Sequence, residues 1–184
     1  MARSNEPIRE AEIDDTPTGK QPADAGWWIL NLAEIAWEAA EGNGIFCTFE
    51  APSAPSPDLG LGVHVLHPGE PNGMYHAEDT QEGFLVLEGE CVAIVEGQER
   101  HMRQWDYFHC PPGTAHITVG AGDGPCAILM AGVRRRGRPI HYPVDELAAR
   151  AGASVATPTD SPREAYANLA PITPARSPWP LEPM

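Results

Sequence analysis

From Gly26 to about Ile140 the apolar residues come only in short runs, each followed by residues that turn a chain. The runs are 27–31, 44–49, 61–67, 84–87, 90–95, 107–110, 115–119 and 126–132. Between them stand Gly42-Asn43-Gly44, Pro68-Gly69, Pro71-Asn72-Gly73, Glu88-Gly89, Glu96-Gly97, Pro111-Pro112-Gly113 and the glycines of 120–124. The 20 Pro and 18 Gly of this 184-residue chain therefore act as punctuation. Many short strands at regular spacing predict an all-β sandwich or small barrel. A chain of this length has the size of one domain with a single core.

Three segments follow from this. Residues 1–25 are polar, carry Pro7, Pro17 and Pro22 and show no hydrophobic period, which predicts a disordered arm. Residues 26–140 hold the barrel, and 141–184 form an extension with one or two short helices. Leu32–Ala40 has the composition of a short helix ahead of the Gly-Asn-Gly break, as do Val144–Ala151 and Ser161–Leu169. The last of these opens with Ser161 as N-cap, Pro162 at the first helical position and Glu164 three residues after the cap. The Pro-rich end is expected to lie across the barrel or a partner subunit, with Trp179 as anchor, or to be free.

Charge excludes two classes of partner. Twelve basic against 26 acidic residues leave a formal net charge of −14, and the chain holds a single Lys. A surface that neutralises phosphates needs concentrated Lys and Arg, so neither nucleic acid nor an anionic membrane is expected as partner. No apolar run approaches the ~20 residues that span a bilayer. The acidic N-terminal stretch has no apolar core of a secretory signal, which predicts a cytoplasmic protein. Cys47, Cys91, Cys110 and Cys126 form no Cys-x-x-Cys pair and sit in or beside apolar runs. They read as four reduced, buried thiols.

The chemistry is concentrated between Pro68 and His116. His76 and Glu78 are two apart, so on a strand they share a face. Glu82 follows after three residues, and Pro111-Pro112-Gly113-Thr114-Ala115-His116 brings a turn and a second strand-leading His. Two imidazoles and two carboxylates meeting on one barrel face make a site for a divalent ion: Fe, Mn, Zn, Ni or Co rather than a thiolate-bound metal.

These residues resemble the two motifs of the cupins, the small jelly-roll barrels that include germins, auxin-binding protein and many dioxygenases and isomerases. In the first motif Glu82, six residues and Gly89 fit without adjustment, with His76 at the first His position and Glu78 where a second His is usual. In the second, Pro111, Gly113 and His116 match, Trp105 replaces the opening Gly and Gly120 the closing Asn. The resemblance covers about residues 60–132. It implies a cupin-type jelly-roll β-barrel with one divalent metal held by His76, Glu78, Glu82 and His116. Glu78 serves either as a direct ligand or as an acceptor for an imidazole N–H. A homodimer is implied as well, and Gly89–Val95, apolar at both parities, reads as a strand covered on both faces.

Tyr75 and His109 flank these positions and are the candidates for proton transfer. His64 and His67 differ in parity, so at most one faces the interior. Arg134-Arg135-Arg136-Gly137-Arg138 reads as a solvated strand end rather than an anion site. Two functions stay open at this point: a metal-dependent enzyme on a small organic molecule, of dioxygenase or isomerase type, and a barrel that binds a small molecule or metal without turnover.

Overall fold

The computed structural model describes residues 7–134, 137 and 139–181. In chain order its elements are β1 (Ile13–Thr16), β2 (Gly19–Pro22), β3 (Trp37–Ala39), β4 (Ile45–Thr48), β5 (Leu59–Leu66), β6 (Ala77–Glu78), β7 (Glu82–Glu88), β8 (Glu90–Val95), β9 (Gln98–Arg103), β10 (Tyr107–Cys110), β11 (His116–Ala121), β12 (Cys126–Val133), β13 (Ile140–His141), α1 (Glu146–Arg150), α2 (Pro162–Ala165) and β14 (Thr173–Ala175). Seven strands form one sheet in the order β10-β7-β12-β5-β4-β3-β14, and β11-β8-β9 form a second. β1-β2 and β13-β6 are separate antiparallel pairs. This is the all-β barrel that the punctuated runs predict.

Strand alternation builds the two faces of the large sheet. Phe84 and Val86 of β7, Leu66 of β5 and Ile128 of β12 turn inward to meet Cys91, Ala93 and Met102 of the second sheet, closing one core. The alternate residues Val63, Val65 and Ala127 turn outward and are covered by Ile35, Trp37, Trp28, Leu30 and Trp179. Phe84 is 1% exposed, so truncating it to Ala would remove about 3–5 kcal/mol of stability. The β8 strand is covered on both faces, as its composition requires. Its outward Val92 and Ile94 pack with Ile117, Val119, Ala148 and Ala153, so the chain's own α1 region provides the second cover.

Helical composition yields to pairing at Leu32–Ala40. Trp37–Ala39 is a strand between β4 and β14, and it buries Trp37 with its indole N–H donating to Leu32 O at 3.2 Å. Residues 27–31 form no strand. Trp28 and Leu30 pack inward while Trp27 and Ile29 stay exposed. The strand β9, Gln98–Arg103, carries no apolar signal because only Met102 of its six residues is buried. Both extension helices form, with Ser161 Oγ accepting from Glu164 N at 3.3 Å as the capping pattern requires. Trp179 anchors the end of the chain on the outer face of the large sheet.

The two departures from the second cupin motif have local causes. Trp105, in place of the opening Gly, holds the left-handed φ of 75° that the turn into β10 demands. Gly120, in place of the closing Asn, lies where a Cβ would meet His67 O at 2.2 Å, so no side chain fits.

The segment 1–25 expected to be disordered carries order from at least Arg9 onward, while residues 1–6 lie outside the described ones. β1 and β2 form a hairpin in the register Ile13↔Pro22, and Lys20 N donates to Glu34 O at 2.7 Å while Ala36 N donates to Lys20 O at 2.8 Å. Backbone bonds hold this segment where its composition offers little to bury, although Ala11 and Pro22 are both closed off. Deleting residues 1–25 should therefore lower the melting temperature by roughly 5 °C or more, given about 2–4 °C per kcal/mol for a chain of this size. An unchanged melting curve would show that the hairpin contributes nothing. Trp105 is 68% exposed, so Trp105→Gly gives up little packing and relieves a left-handed conformation that disfavours a side chain by about 1–2 kcal/mol. Denaturant titration should show that variant at least as stable as the parent.

Candidate metal centre

His76 precedes β6 and forms a bridge with His116, the first residue of β11. The backbones exchange both bonds, His76 N to His116 O at 3.2 Å and His116 N to His76 O at 2.9 Å. Directly opposed residues put their side chains on the same face, and the two ring centroids are 5.0 Å apart. Glu82, first residue of β7, reaches toward them. One ligand atom from each of His76, Glu82 and His116 lies within 4.8 Å of the others.

The tautomers follow from the partners. A carbonyl oxygen only accepts, so Nδ1 of His76, 2.7 Å from Met74 O, must carry the proton. Nδ1 of His116 donates likewise to Thr114 O at 3.0 Å. In each neutral ring this leaves the lone pair on Nε2, and the tether fixes the ring plane. His116 is 2% exposed, and burial, then the neighbouring His76, pushes its pKa down to about 4, so it is neutral near pH 7. Its Nε2 lies 3.4 Å from Glu82 Oε2. Two acceptors thus face each other, an arrangement that a shared cation satisfies. Bonds of about 2.1 Å meeting at 90–110° would hold their donor atoms roughly 3.0–3.4 Å apart. The donor set fits a divalent ion.

Glu78 stands one step aside. It shares a face with His76 as the spacing predicts, with Oε1 3.8 Å from His76 Nε2, and Oε2 accepts from Thr80 Oγ1 at 3.3 Å. It is 6% exposed yet falls outside the group of three whose atoms all approach one another. Tyr142 and Phe84 pack ring to ring against His76 and His116 respectively. Cys110 lies 3.3 Å from His116 Nδ1, and burial, with Glu82 nearby, pushes its thiol up to about 12, so it offers no thiolate. All four cysteines are free and buried.

The two proton-transfer candidates are not brought to this group. Tyr75 points away from His76 into the cluster of Ile94, Ile117, Ala148 and Ala153, where its hydroxyl accepts from Gly97 N at 3.4 Å. His109 is exposed on β10 opposite Gly83, because its neighbours Phe108 and Cys110 take the inward positions. Of the pair that differ in parity, His64 is the inward one, stacked on Phe46, and His67 is exposed. Arg135, Arg136 and Arg138 of the basic run lie outside the described residues.

Comparison with known proteins agrees with this fold. Residues 62–132 match the Cupin domain family, so this stretch of the chain is a cupin domain. A comparison with curated proteins gives no match. Among solved structures the chain is similar to a sugar phosphate isomerase from a cupin superfamily of Silicibacter pomeroyi DSS-3, at 24% identity over 49% of this chain and 64% of that one, with a TM-score of 0.45. It is similar to the DMSP lyase DddQ of Ruegeria pomeroyi DSS-3 at 21% identity over 52% of this chain and 49% of the other, TM-score 0.43. A third is the polyketide cyclase RemF of Streptomyces resistomycificus, at 13% identity over 76% and 83%, TM-score 0.47. The chain thus spans 64% and 49% of the first two.

His64 gives the barrel a pH signature of its own. Burial pushes its pKa from 6.5 down to about 4. The unfolded chain takes up a proton near 6.5 that the folded chain refuses until about 4, so folded stability falls as pH drops through that window. Denaturant titrations of the metal-free protein should show this loss, and His64→Phe should make it shallower. An equal pH slope in parent and variant would contradict a neutral, buried His64.

Proposed function

We propose that His76, Glu82 and His116 hold one divalent metal ion and that the protein is a metal-dependent enzyme acting on a small organic molecule. The observation that carries this is the pair of tethered imidazoles whose Nε2 atoms converge with one carboxylate. Two His and one carboxylate with further positions open are the donor set of mononuclear non-haem iron oxygenases, which favours the dioxygenase reading over the isomerase one. The ion would supply Lewis-acid polarisation of a substrate oxygen and, as Fe or Mn, dioxygen chemistry. Met74 O and Thr114 O keep both imidazoles in the liganding tautomer. Glu78, buried beside His76, is placed to hold or receive a proton at Oε1, and Phe84 and Phe108 exclude water from the His116 side.

Replacing Glu82 by Gln or His116 by Ala should weaken metal binding by more than the ~10–100-fold seen on losing an outer partner of a ligand. The metal-free melting temperature should stay within a few degrees of the parent. Glu78→Gln should keep the metal and lose turnover, read as dioxygen uptake by iron-loaded protein across a panel of small organic acids and alcohols. Elemental analysis showing full metal occupancy in Glu82→Gln and His116→Ala would sink the assignment of ligands. Full occupancy in the parent with no dioxygen uptake would move the reading to the isomerase type.

A further inference from the structure

The large sheet leaves a hollow beside Glu82. Along β5 the inward positions read Gly60, Gly62, His64, Leu66, and along β12 they read Gly132, Met130, Ile128. Pairing sets Gly132 beside both Gly60 and Glu82, so bare backbone lies there where other rows carry side chains, and Gly62 in the next row is glycine because a Cβ would meet Cys47 O at 2.6 Å. Above them is a cavity of about 240 Å³ that also reaches Thr48, His64, Met130 and Arg134. A Cβ at Gly132 would stand 3.6 Å from Glu82 Oε1, which places the hollow against the carboxylate assigned to the metal.

Both ends of the cavity donate hydrogen bonds. At the Gly60 end the Arg134 guanidinium lies over the bare backbone, where a Cβ would come within 2.6 Å of its Nε. One of its nitrogens pairs with Glu50 at 2.6 Å, and a guanidinium has five N–H donors. At the other end His64 is held flat on Phe46, with ring centroids 5.0 Å apart and 19° between planes. Its Nδ1 is closed off from solvent with no hydrogen-bond partner. An orphaned buried donor is less tolerable than an orphaned acceptor, so the proton belongs on Nε2, which becomes the donor a ligand meets. The ring is neutral, since burial holds its pKa near 4. Four residues of strand separate Gly60 from His64, roughly 13 Å at ~3.3 Å each. Hydrogen bonds of about 3 Å at each end leave ~7 Å for the ligand.

We propose that this cavity is the ligand pocket of the site and takes a short carboxylate-bearing molecule with acceptor oxygens at both ends, one end held by Arg134 and the other by His64. The proposal deepens the reading of His76, Glu82 and His116 as metal ligands and rests on it for the position of the reacting oxygen. About 240 Å³ corresponds to roughly eight waters at ~30 Å³ each, room for a four-carbon dicarboxylate. A tricarboxylate is disfavoured by charge: among the lining residues Arg134 is the single cation, and Glu82 adds a carboxylate that a third acidic group would face. His64 and Arg134 are binding residues that hold the two ends of the ligand.

The test uses zinc-loaded full-length protein with malate and citrate as probes, followed by calorimetry and by the ring-nitrogen NMR signals of His64. Malate should bind and shift those signals, and citrate should bind at least tenfold more weakly. His64→Phe, which preserves the stack on Phe46, and Arg134→Gln should each weaken malate at least tenfold while zinc affinity stays the same. Should Arg134→Gln fail to fold, because Glu50 loses its partner, the His64 signals of the parent protein decide. No malate binding, unmoved His64 signals, or equal malate affinity in His64→Phe would overturn the proposal. If the parent binds no zinc, the metal reading fails by itself. The same titration on metal-free protein then supports the pocket if His64→Phe loses malate binding and overturns it if the variant does not.

Discussion

The site depends on the reciprocal backbone bridge between His76 and His116. It is the last rung of a ladder along which the irregular chain ahead of β6 pairs with β11. Gly69 N donates to Gly120 O, Gly120 N to Glu70 O, and Asn72 N to Thr118 O, and Asn72 Oδ1 accepts from Thr118 N. The segment lacks a strand's regularity because Pro68 and Pro71 have no N–H to give. It nevertheless acts as a further strand beside the second sheet. Gly120 is the point of closest approach in this ladder: with a side chain there, the His67–Glu70 turn would be pushed off and the register that opposes the two histidines would be lost. An imidazole pair set by backbone pairing is fixed in position before any ion arrives, which is the preorganisation a metal site requires.

The parts of the fold legible in the sequence were those in which one chain segment decides its own fate. β4, β5, β7, β8, β10, β11 and β12 alternate or are apolar throughout, and a Gly or Pro follows β7, β10 and β11 directly, at Gly89, Pro111 and Gly122. β9 was not legible, since Gln98, Glu99, Arg100, His101 and Arg103 face solvent and it is a strand only because β8 offers an edge. β3 departs from expectation for the converse reason: Leu32–Ala40 has the composition of a helix, but burying Trp37 between β4 and the tail outweighs propensity. The motif spacing gave the group of His76, Glu82 and His116, because each leads or adjoins a strand whose parity it inherits. The same parity rule, read from the inward Cys110 and Phe108, turns His109 outward, and nearness in sequence to His116 carried no information about direction. Tyr75 fails similarly, being adjacent to His76 and so on the opposite face.

The extension changes what the barrel presents outward. The apolar parity of β8 implied a second cover, and a partner subunit would satisfy that as well as a helix does. In this chain α1, capped by Asp145 accepting from Ala148 N at 2.8 Å, returns Ala148 and Ala153 onto Ile94 and Ile117. Tyr75 N donates to Ala153 O at 2.7 Å, so the residue next to a metal-ligand candidate is held by the extension. α2 adds Tyr166, whose hydroxyl accepts from Met74 N at 3.3 Å. Met74 is also the residue whose carbonyl fixes the His76 tautomer. The extension therefore acts on the site through backbone atoms on either side of His76, a linkage that the motif alone does not contain.

The barrel divides its interior between two demands. Reading inward residues along β7, β12 and β5 from one end to the other gives Glu82-Phe84-Val86, Gly132-Met130-Ile128 and Gly60-Gly62-His64-Leu66. One end has carboxylate and bare backbone; the other is filled by Leu66, Val86, Cys91, Cys126 and Ile128, none more than 1% exposed. The filled end supplies the apolar burial that stabilises the fold. At the open end, glycines give up side-chain contacts, and further in, in the row of Ile128 and Val86, His64 Nδ1 has no hydrogen-bond partner. Such an orphaned buried polar atom costs about 1–3 kcal/mol. A chain selected for stability alone would fill Gly132 and replace His64 by an aliphatic residue of similar size, whereas Gly62 has no such freedom, since a Cβ there would meet Cys47 O at 2.6 Å. Retaining Gly132 and His64 sets unfavourable contributions along the hollow that runs from Glu82 to His64, the distribution expected when polar atoms are kept for a ligand.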